Sequence, residues 1–365
     1  MKVSFPNLGN SYVAGKALMD DLGIECIIPS PSNKNSLSLG EKFAPDEICL
    51  PFKIMVGNYI EAIEKGADTI IITGSCGPCR YGEYCELQLN ILKKIKNDLK
   101  LIVVDSPKDI GRDDFMKRIS YISKGSDLPL IAKLSAAANA LKVINLMDSF
   151  EKEVKIKAGF EKKRGECKDL LYNCRRDVSQ SKGSRQMLEV LKSYKNKLKN
   201  IALDNSKTPI KIAIIGEIYT IIEPFTNVYL EEKLMDYGVI STRTLYPSWW
   251  VKNLLMSVIR LNSLDIRLAS QKYLPYYIGG HGRECVGEAV LAQKHGCDGA
   301  IQIFPTGCMP EIVSKAILPS ISKDKDFPIM TLIVDELSGE GGYITRLEAF
   351  VDLLERRDKN VLYRC

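Results

Sequence analysis

The chain reads as an α/β protein: two facing Rossmann-like domains with mostly parallel sheets, and a helical middle segment between them. Three observations predict this. Short apolar runs rich in β-branched residues alternate with helix-length stretches near the N-terminus. The same alternation returns in the C-terminal part, and the region between has no comparable strand run. The expected boundaries are 1–114 for the N-terminal α/β domain, 115–205 for a helical insertion or cap, and 206–365 for the C-terminal α/β domain.

The elements follow in order. "KVSFPN" and "GIECIIPS" read as strands, and "SYVAGKALMDDLG" between them as a helix stopped by Gly23. "FKIMVGNYIEAIEKG" has helical spacing and stops at Gly66, before the strand "DTIIIT". "YCELQLNILKKI" is helical and "LKLIVVDS" is a strand. After "NSKTP" come the strand "IKIAIIGEI", the helix "NVYLEEKLMDYG" and the strand "VISTRTL". "ECVGEAVLAQKHG" is a helix, "AIQIFPTG" and "FPIMTLIVDEL" are strands, and "YITRLEAFVDLLERRD" closes the chain as a helix.

Composition narrows the function classes. Of 365 residues, 45 % are hydrophobic and 26 % charged, an ordinary folded composition. Lys and Arg number 51 and Asp and Glu 45, so the net charge of +6 is only mildly basic and argues for no nucleic-acid partner. No stretch reads as the ~20 apolar residues of a membrane span. "MKVSFPNLGN" does not read as a secretory leader, so a cytoplasmic location is expected. Eleven cysteines then sit in a reducing compartment, and an odd number fits a disulfide framework poorly. Metal binding becomes a leading reason for several of them.

The candidate thiols fall in a repeated pattern. Cys49 precedes a helix, followed by "GADTIIITGSC"; Cys285 precedes a helix, followed by "GCDGAIQIFPTGC". Cys76 and Cys308 thereby fall just beyond the carboxyl ends of strands, the edge where open α/β sheets bind ligands. "CGPC" adds Cys79, and Cys85 is close by. Thiolates suit zinc or an iron–sulfur cluster, which usually takes four cysteines. A C-x-x-C loop also suits thiol–disulfide exchange, although no short thioredoxin-like domain surrounds this one. Cys26 and Cys297 read as small buried hydrophobes, Cys167 and Cys174 as surface residues of a polar helical region, and Cys365 as a terminal residue. His281, in "YYIGGHGREC", could ligate a metal, donate to a cluster or transfer a proton; His295 reads as a helix-end residue. Asp335 and Glu336 end a strand at the ligand edge, whereas Glu340, Arg346 and Glu348 read as helix-start and packing residues.

"IFPTGCMPEIVSKAILPSI" followed by "DELSGEGGYITRLEAFVDLL" resembles the carboxyl-terminal signature of acyl-CoA dehydratase activase-related proteins. "DEICLPFKIMVGNYIEA" and "CGPCRYGEY" resemble their amino-terminal signatures. These proteins belong to the 2-hydroxyacyl-CoA dehydratase-like superfamily, and the resemblance touches both α/β halves. It implies an iron–sulfur cluster, [4Fe–4S] first and a double-cubane [8Fe–9S] as the alternative. The implied ligands are Cys49, Cys76, Cys79 and Cys308; Cys285 is nominated by the half-repeat alone. The implied partner is a separate ATP-hydrolysing iron–sulfur activator, with a second copy or a paired homologous subunit in the assembly. The chain carries no ATP-binding signature of such an activator itself. The expected function is the handling of low-potential electrons in a dehydratase-like or ATP-dependent reductase system, with His281 and Glu336 as candidate catalytic groups. A non-catalytic cluster-binding or maturation protein and a structural zinc protein are the alternatives.

Overall fold

Two four-stranded sheets, each entirely parallel, form the framework. The computed structural model describes residues 1–74, 79–104, 111–257 and 263–362. The first sheet contains β1 (Lys2–Ser4), β2 (Glu25–Cys26), β3 (Thr69–Thr73) and β4 (Lys100–Val104), in the order β2-β1-β3-β4. The second contains β5 (Lys211–Gly216), β6 (Ile240–Thr242), β7 (Gly299–Pro305) and β8 (Ile329–Val334), in the order β6-β5-β7-β8. The two orders are the same once each sheet is numbered from its own first strand, so the two halves repeat one topology. Parallel neighbours need long crossovers, and helices supply them in both halves.

The chain divides into two compact units. One comprises Met1–Phe150, Tyr172–Lys197 and Tyr246–Asn262; the other comprises Glu151–Leu171, Leu198–Leu245 and Ser263–Cys365. The region between β4 and β5 is helical, as expected, with Arg112–Ser123, Leu130–Ala158, Glu166–Gln180 and Gly183–Lys199. Its residues contribute to both units.

In the N-terminal unit, helix Ser11–Leu22 ends where the sequence predicts, on Gly23 at φ +69, the left-handed C-cap. Helix Leu50–Glu64 starts with Pro51 in its first turn, and every residue from Leu50 to Ala62 is buried. That all-round burial fits its near-continuous apolar sequence. Against it packs helix Lys34–Glu41, which the apolar pattern did not reveal because its sequence is mostly polar. A capping box starts that helix: Asn33 accepts from the Ser36 amide, and the Ser36 hydroxyl accepts from the Asn33 amide. The two helices touch backbone to backbone. A Cβ on Gly57 would lie 1.7 Å from the Ser36 carbonyl oxygen, and one on Gly40 would lie 1.7 Å from that of Lys53.

In the C-terminal unit, β5 and β7 supply Ala213, Ile215 and Ala300 to a core completed by Val286, Ala289, Leu318 and Ile321. The expected helix "NVYLEEKLMDYG" begins later than its first residues. Val228 and Tyr229 take left-handed backbone angles, φ 55 and 56, and the Asn227 side chain accepts from the Leu230 amide at 3.1 Å. The helix therefore runs only over Leu230–Asp236.

Cys167 and Cys174 are not surface residues: both are buried. They lie on the stripe Cys167, Leu171, Cys174, Val178 of helix Glu166–Gln180, and this narrow face is apolar although the helix as a whole is charged. Burial pushes the Cys174 thiol up to about 12 and Cys167 higher still. Cys297 is a core residue as expected, and Cys26 packs at the edge of an apolar cluster. The expectation that no segment is apolar enough to cross a membrane needs one correction. Helix Leu130–Ala158 is long and apolar enough by length and composition, and 28 % of its most apolar window is buried. The alanine-rich stretch "LSAAANAL" hides this from a count of large apolar residues.

Candidate thiol sites at the carboxyl edges of the sheets

Helices that cross between parallel strands start at the carboxyl edge of the sheet, and there the structure places most of the candidate thiols. Cys49 is the N-cap of helix Leu50–Glu64, with extended backbone at φ −66, ψ 151. Cys79 is the N-cap of the 3-10 turn Arg80–Glu83, at φ −75, ψ 139, in the loop that follows β3. Two bonds bring these segments together. The Arg80 guanidinium donates to the Glu47 carbonyl at 3.0 Å. The Tyr84 hydroxyl and Cys49 Sγ share a hydrogen bond. The Tyr84 ring is buried, edge-on to Phe52 with centroids 4.9 Å apart and tilted against Tyr81 at 5.0 Å. Cys85 follows on the same helix, Tyr84–Ile95, and its Sγ reaches back toward the Gly82 carbonyl at 3.9 Å. Cys76, the remaining N-terminal candidate, lies outside the described residues, as does Cys365.

The C-terminal unit repeats the arrangement with different side chains. Cys308 is the N-cap of helix Met309–Lys325, two residues after Thr306, and Gly307 before it adopts φ 78. His281 is the N-cap of helix Gly282–Lys294. The two helix starts are pressed together: a Cβ on Gly282 would lie 2.8 Å from the Pro310 carbonyl oxygen, and Ser314 Oγ sits 2.9 Å from both the Gly282 and Pro310 carbonyls. His281 and Cys308 thus stand at adjoining helix starts within one unit.

The topological repeat also sets which residue corresponds to which. Helix Leu50–Glu64 precedes β3 as helix Gly282–Lys294 precedes β7. The N-cap Cys49 therefore corresponds to the N-cap His281. Cys285 lies one turn further in, fully buried in the apolar core beside Glu311 and Gln302. Burial foremost, then the neighbouring Glu311 charge, pushes its thiol well up.

Around Cys285 lie three carboxyl groups that sequence reasoning missed. Glu284, Glu288 and Glu311 are 6 %, 5 % and 1 % exposed. Gln302 Nε2 donates to Glu311 at 2.9 Å, and the Glu288 carboxyl is buried beside Thr244. Burial is the first cause of the upward shifts at both groups: Glu311 is pushed up to about 8, and Glu288, with Glu284 adding repulsion, well above the usual carboxylate range. The signal in the sequence was "RECVGEAV", in which Glu284 and Glu288 are spaced i, i+4 on a helix otherwise apolar at that end. Glu336, by contrast, is exposed in the turn after β8. Its neighbour Asp335 stabilises that turn, accepting from the Leu337 amide at 3.0 Å and the Ser338 hydroxyl at 2.7 Å. Glu340 pairs with Lys233 at 2.7 Å, Arg346 donates to the Thr331 carbonyl and Glu348 accepts from Tyr237, all structural ties. His295 is the C-cap of its helix.

As to chemistry, the Cys49 and Cys308 thiols cap α-helices, where the aligned peptide dipoles favour negative charge. Soft anionic sulfur donors fit zinc or an iron–sulfur cluster. Among the described residues, no group of three His, Cys, Asp or Glu side chains is arranged to hold a metal ion, and Cys76 stands outside that set. No curated relative matches the chain. Residues 7–77, from the first loop through helix Leu50–Glu64 and β3 and including Cys49 and Cys76, match the profile of a family described as a CoA enzyme activase uncharacterised domain. Over that stretch the chain is similar to a CoA enzyme activase-related family.

Proposed function

We propose that the protein holds an iron–sulfur cluster and handles low-potential electrons in an enzyme system acting on CoA thioesters. One observation supports this above the others. Cys49 caps helix Leu50–Glu64 and Cys79 caps a 3-10 turn tied to the segment before Cys49, inside and just beyond the stretch similar to a CoA enzyme activase domain. Cys76 lies between them in sequence, and Cys308 occupies the corresponding loop of the second sheet.

In this reading Cys49, Cys76, Cys79 and Cys308 are the thiolate ligands, and His281 rather than Cys285 stands where the first half has Cys49. A [4Fe–4S] cluster is the first choice and a double-cubane [8Fe–9S] the second; when bound, either supplies one-electron chemistry at low potential. The chain's own part is to present sulfur at helix N-termini, to fix it by hydrogen bonds, and to keep apolar core behind it. In this reading His281 ligates or holds a proton, and Glu336 contributes to recognition of a docking partner. That partner is a separate ATP-hydrolysing iron–sulfur activator, with a second copy or a homologous subunit completing a cytoplasmic, oxygen-sensitive assembly.

The test is anaerobic purification followed by iron, zinc and acid-labile sulfide analysis and an absorption spectrum. Iron with matching sulfide, bleached on reduction by the activator and ATP, is the expected result. A zinc-loaded, iron-free protein would overturn the proposal. A cluster that the activator does not reduce would leave a cluster-binding or maturation role.

A further inference from the structure

We infer that the N-terminal half of helix Leu130–Ala158 pairs, antiparallel and about a two-fold axis, with the same helix of a second copy of this chain. The helix has two apolar faces. Ala136, Ala140, Val143 and Met147 turn into the core, Ala136 within the cluster that holds Ile102 and Ile122. On the opposite side Leu130, Ile131, Leu134 and Leu141 are 72, 82, 62 and 37 % exposed. A helix that is apolar all round belongs in an interior, and the core covers this one on a single side. It does not leave the protein to cross a bilayer, because Ile144, Met147 and Phe150 in its middle are core. The inference is independent of what the sulfur-bearing loops hold.

The spacing of the exposed residues specifies the occupant. Ile131, Leu134, Ala138, Leu141 and Asn145 follow at steps of three, four, three and four, the a and d positions of a heptad, and all five are exposed. Such a seam takes the knobs of another helix. Asn145 closes it with a polar residue, its side-chain amide donating to the Leu141 carbonyl at 2.7 Å. A second copy completes the seam by itself. With the axis at Ala136, Ile131 meets the partner's Leu141 and Leu134 meets the partner's Ala138, so large side chains face small ones at the centre. Lys142, beside the seam, then falls toward the start of the partner helix, which the acidic Asp127 precedes. The four large side chains expose roughly 400 Å² per copy, as much as the largest bare patch of an ordinary monomer and about half of one partner's share in a stable interface. Exposed Ala137 and the Lys142 stem add to it, which suits a small interface between copies.

The experiment is sedimentation velocity on the full chain, in reducing, oxygen-free buffer, over a wide range of concentration. The parent should pass from monomer to dimer with a dissociation constant of about micromolar, as suits an interface of this size. Leu134→Glu puts a charge into the apolar seam, and the two-fold axis repeats it, so association should weaken by roughly 100-fold or more. Ile131→Glu should do the same. Both side chains are exposed in the single chain, so both variants should keep the parent's melting temperature. Leu268→Glu, at an exposed leucine of the other unit, is the control and should dimerise as the parent does. Adding Ala138→Lys to Leu134→Glu brings opposite charges together across the seam and should recover about tenfold or more of the loss. A parent that stays monomeric throughout overturns the inference, as does a dimer that Leu134→Glu and Ile131→Glu leave intact. Failure of the double variant to recover removes the antiparallel register. A monomer that floats with phosphatidylcholine vesicles, and loses this in Leu134→Glu, would assign the stripe to a lipid surface instead of a second copy.

Discussion

Gln302 on β7 donates through Nε2 to Glu311 Oε2 at 2.9 Å, and both side chains lie under the C-terminal sheet edge with essentially no exposure. The Gln302 carbonyl in turn accepts from Thr331 Oγ1 at 3.0 Å, so the amide's orientation is fixed by its neighbour on β8. This ladder orients Glu311 one turn inside the helix that Cys308 caps.

A first prediction concerns pH. Burial raises the Glu311 carboxyl from 4.5 to about 8, so between those values the folded chain keeps a proton that the unfolded chain releases. Stability must then fall as pH rises through that window, by up to about 1.4 kcal/mol per pH unit for one such group. Glu288, shifted the same way, adds to the fall. Urea melts of Glu311→Gln at pH 5 and pH 8 should show a shallower decline than the parent chain. Parallel declines in the two proteins would rule out Glu311 as a contributor.

The second prediction concerns Cys308. Replacing it with Ser removes the sulfur at the helix N-cap and should lower iron retention under anaerobic chelation by at least roughly 10–100-fold, the effect of disturbing even a ligand's support. Cys365→Ser, whose residue belongs to neither repeat, should match the parent. Equal iron content and spectra in the two variants would take Cys308 out of the ligand set.

His281 and Cys285 should separate cleanly. His281→Ala changes a half-exposed helix cap and should reduce iron retention with little loss of stability. Cys285→Ala leaves a cavity in the core and should cost about 1–2 kcal/mol of stability while the metal content per folded molecule holds. Metal analysis beside thermal melts decides between them, and the reverse pattern would return Cys285 to the site.

Gly57 carries the contact between helices Lys34–Glu41 and Leu50–Glu64. A methyl group there meets the Ser36 carbonyl at 1.7 Å, and backbone on both sides leaves no flexible atom to yield. Gly57→Ala should destabilise the N-terminal unit by about 1–3 kcal/mol, as overpacking does. It should also disturb Cys49, which caps the same helix. A denaturation midpoint equal to the parent's would show that the helices can separate without cost.

A buried charge group in the C-terminal unit makes a last test. Arg243 meets Glu151 at 2.5 Å and Glu231 at 3.4 Å, and Lys155 meets both acids at 2.5 Å, so each of these acids is held by both bases. Arg243→Met leaves an acid uncompensated in the interior and should cost about 3–5 kcal/mol. A loss below about 1 kcal/mol in a urea titration would mean that the group is solvated in the folded protein.

Much of this was legible in the residues. The strands were visible because parallel strands buried on both faces need unbroken apolar runs, as in "DTIIIT" and "IKIAIIGEI". Cys308 could be placed beyond a strand because "AIQIFPTGC" has that form. Helix Lys34–Glu41 was not visible, since its stability comes from a capping box and from close backbone contact through glycine, neither of which leaves an apolar period. Cys167 and Cys174 were misread because a narrow apolar stripe is diluted by the charges around it.

The sequence by itself determined the strands and their parallel order, because periodicity and glycine stops are local properties that survive without any partner. Only the tertiary structure decided that His281, and not Cys285, holds the cap position matching Cys49, since a helix start depends on where the chain meets its sheet. It alone put the Tyr84 hydroxyl on Cys49 and buried Glu288 and Glu311 together. Those relationships join residues far apart in the chain, and packing distances between separate helices are not written in the spacing along any one of them.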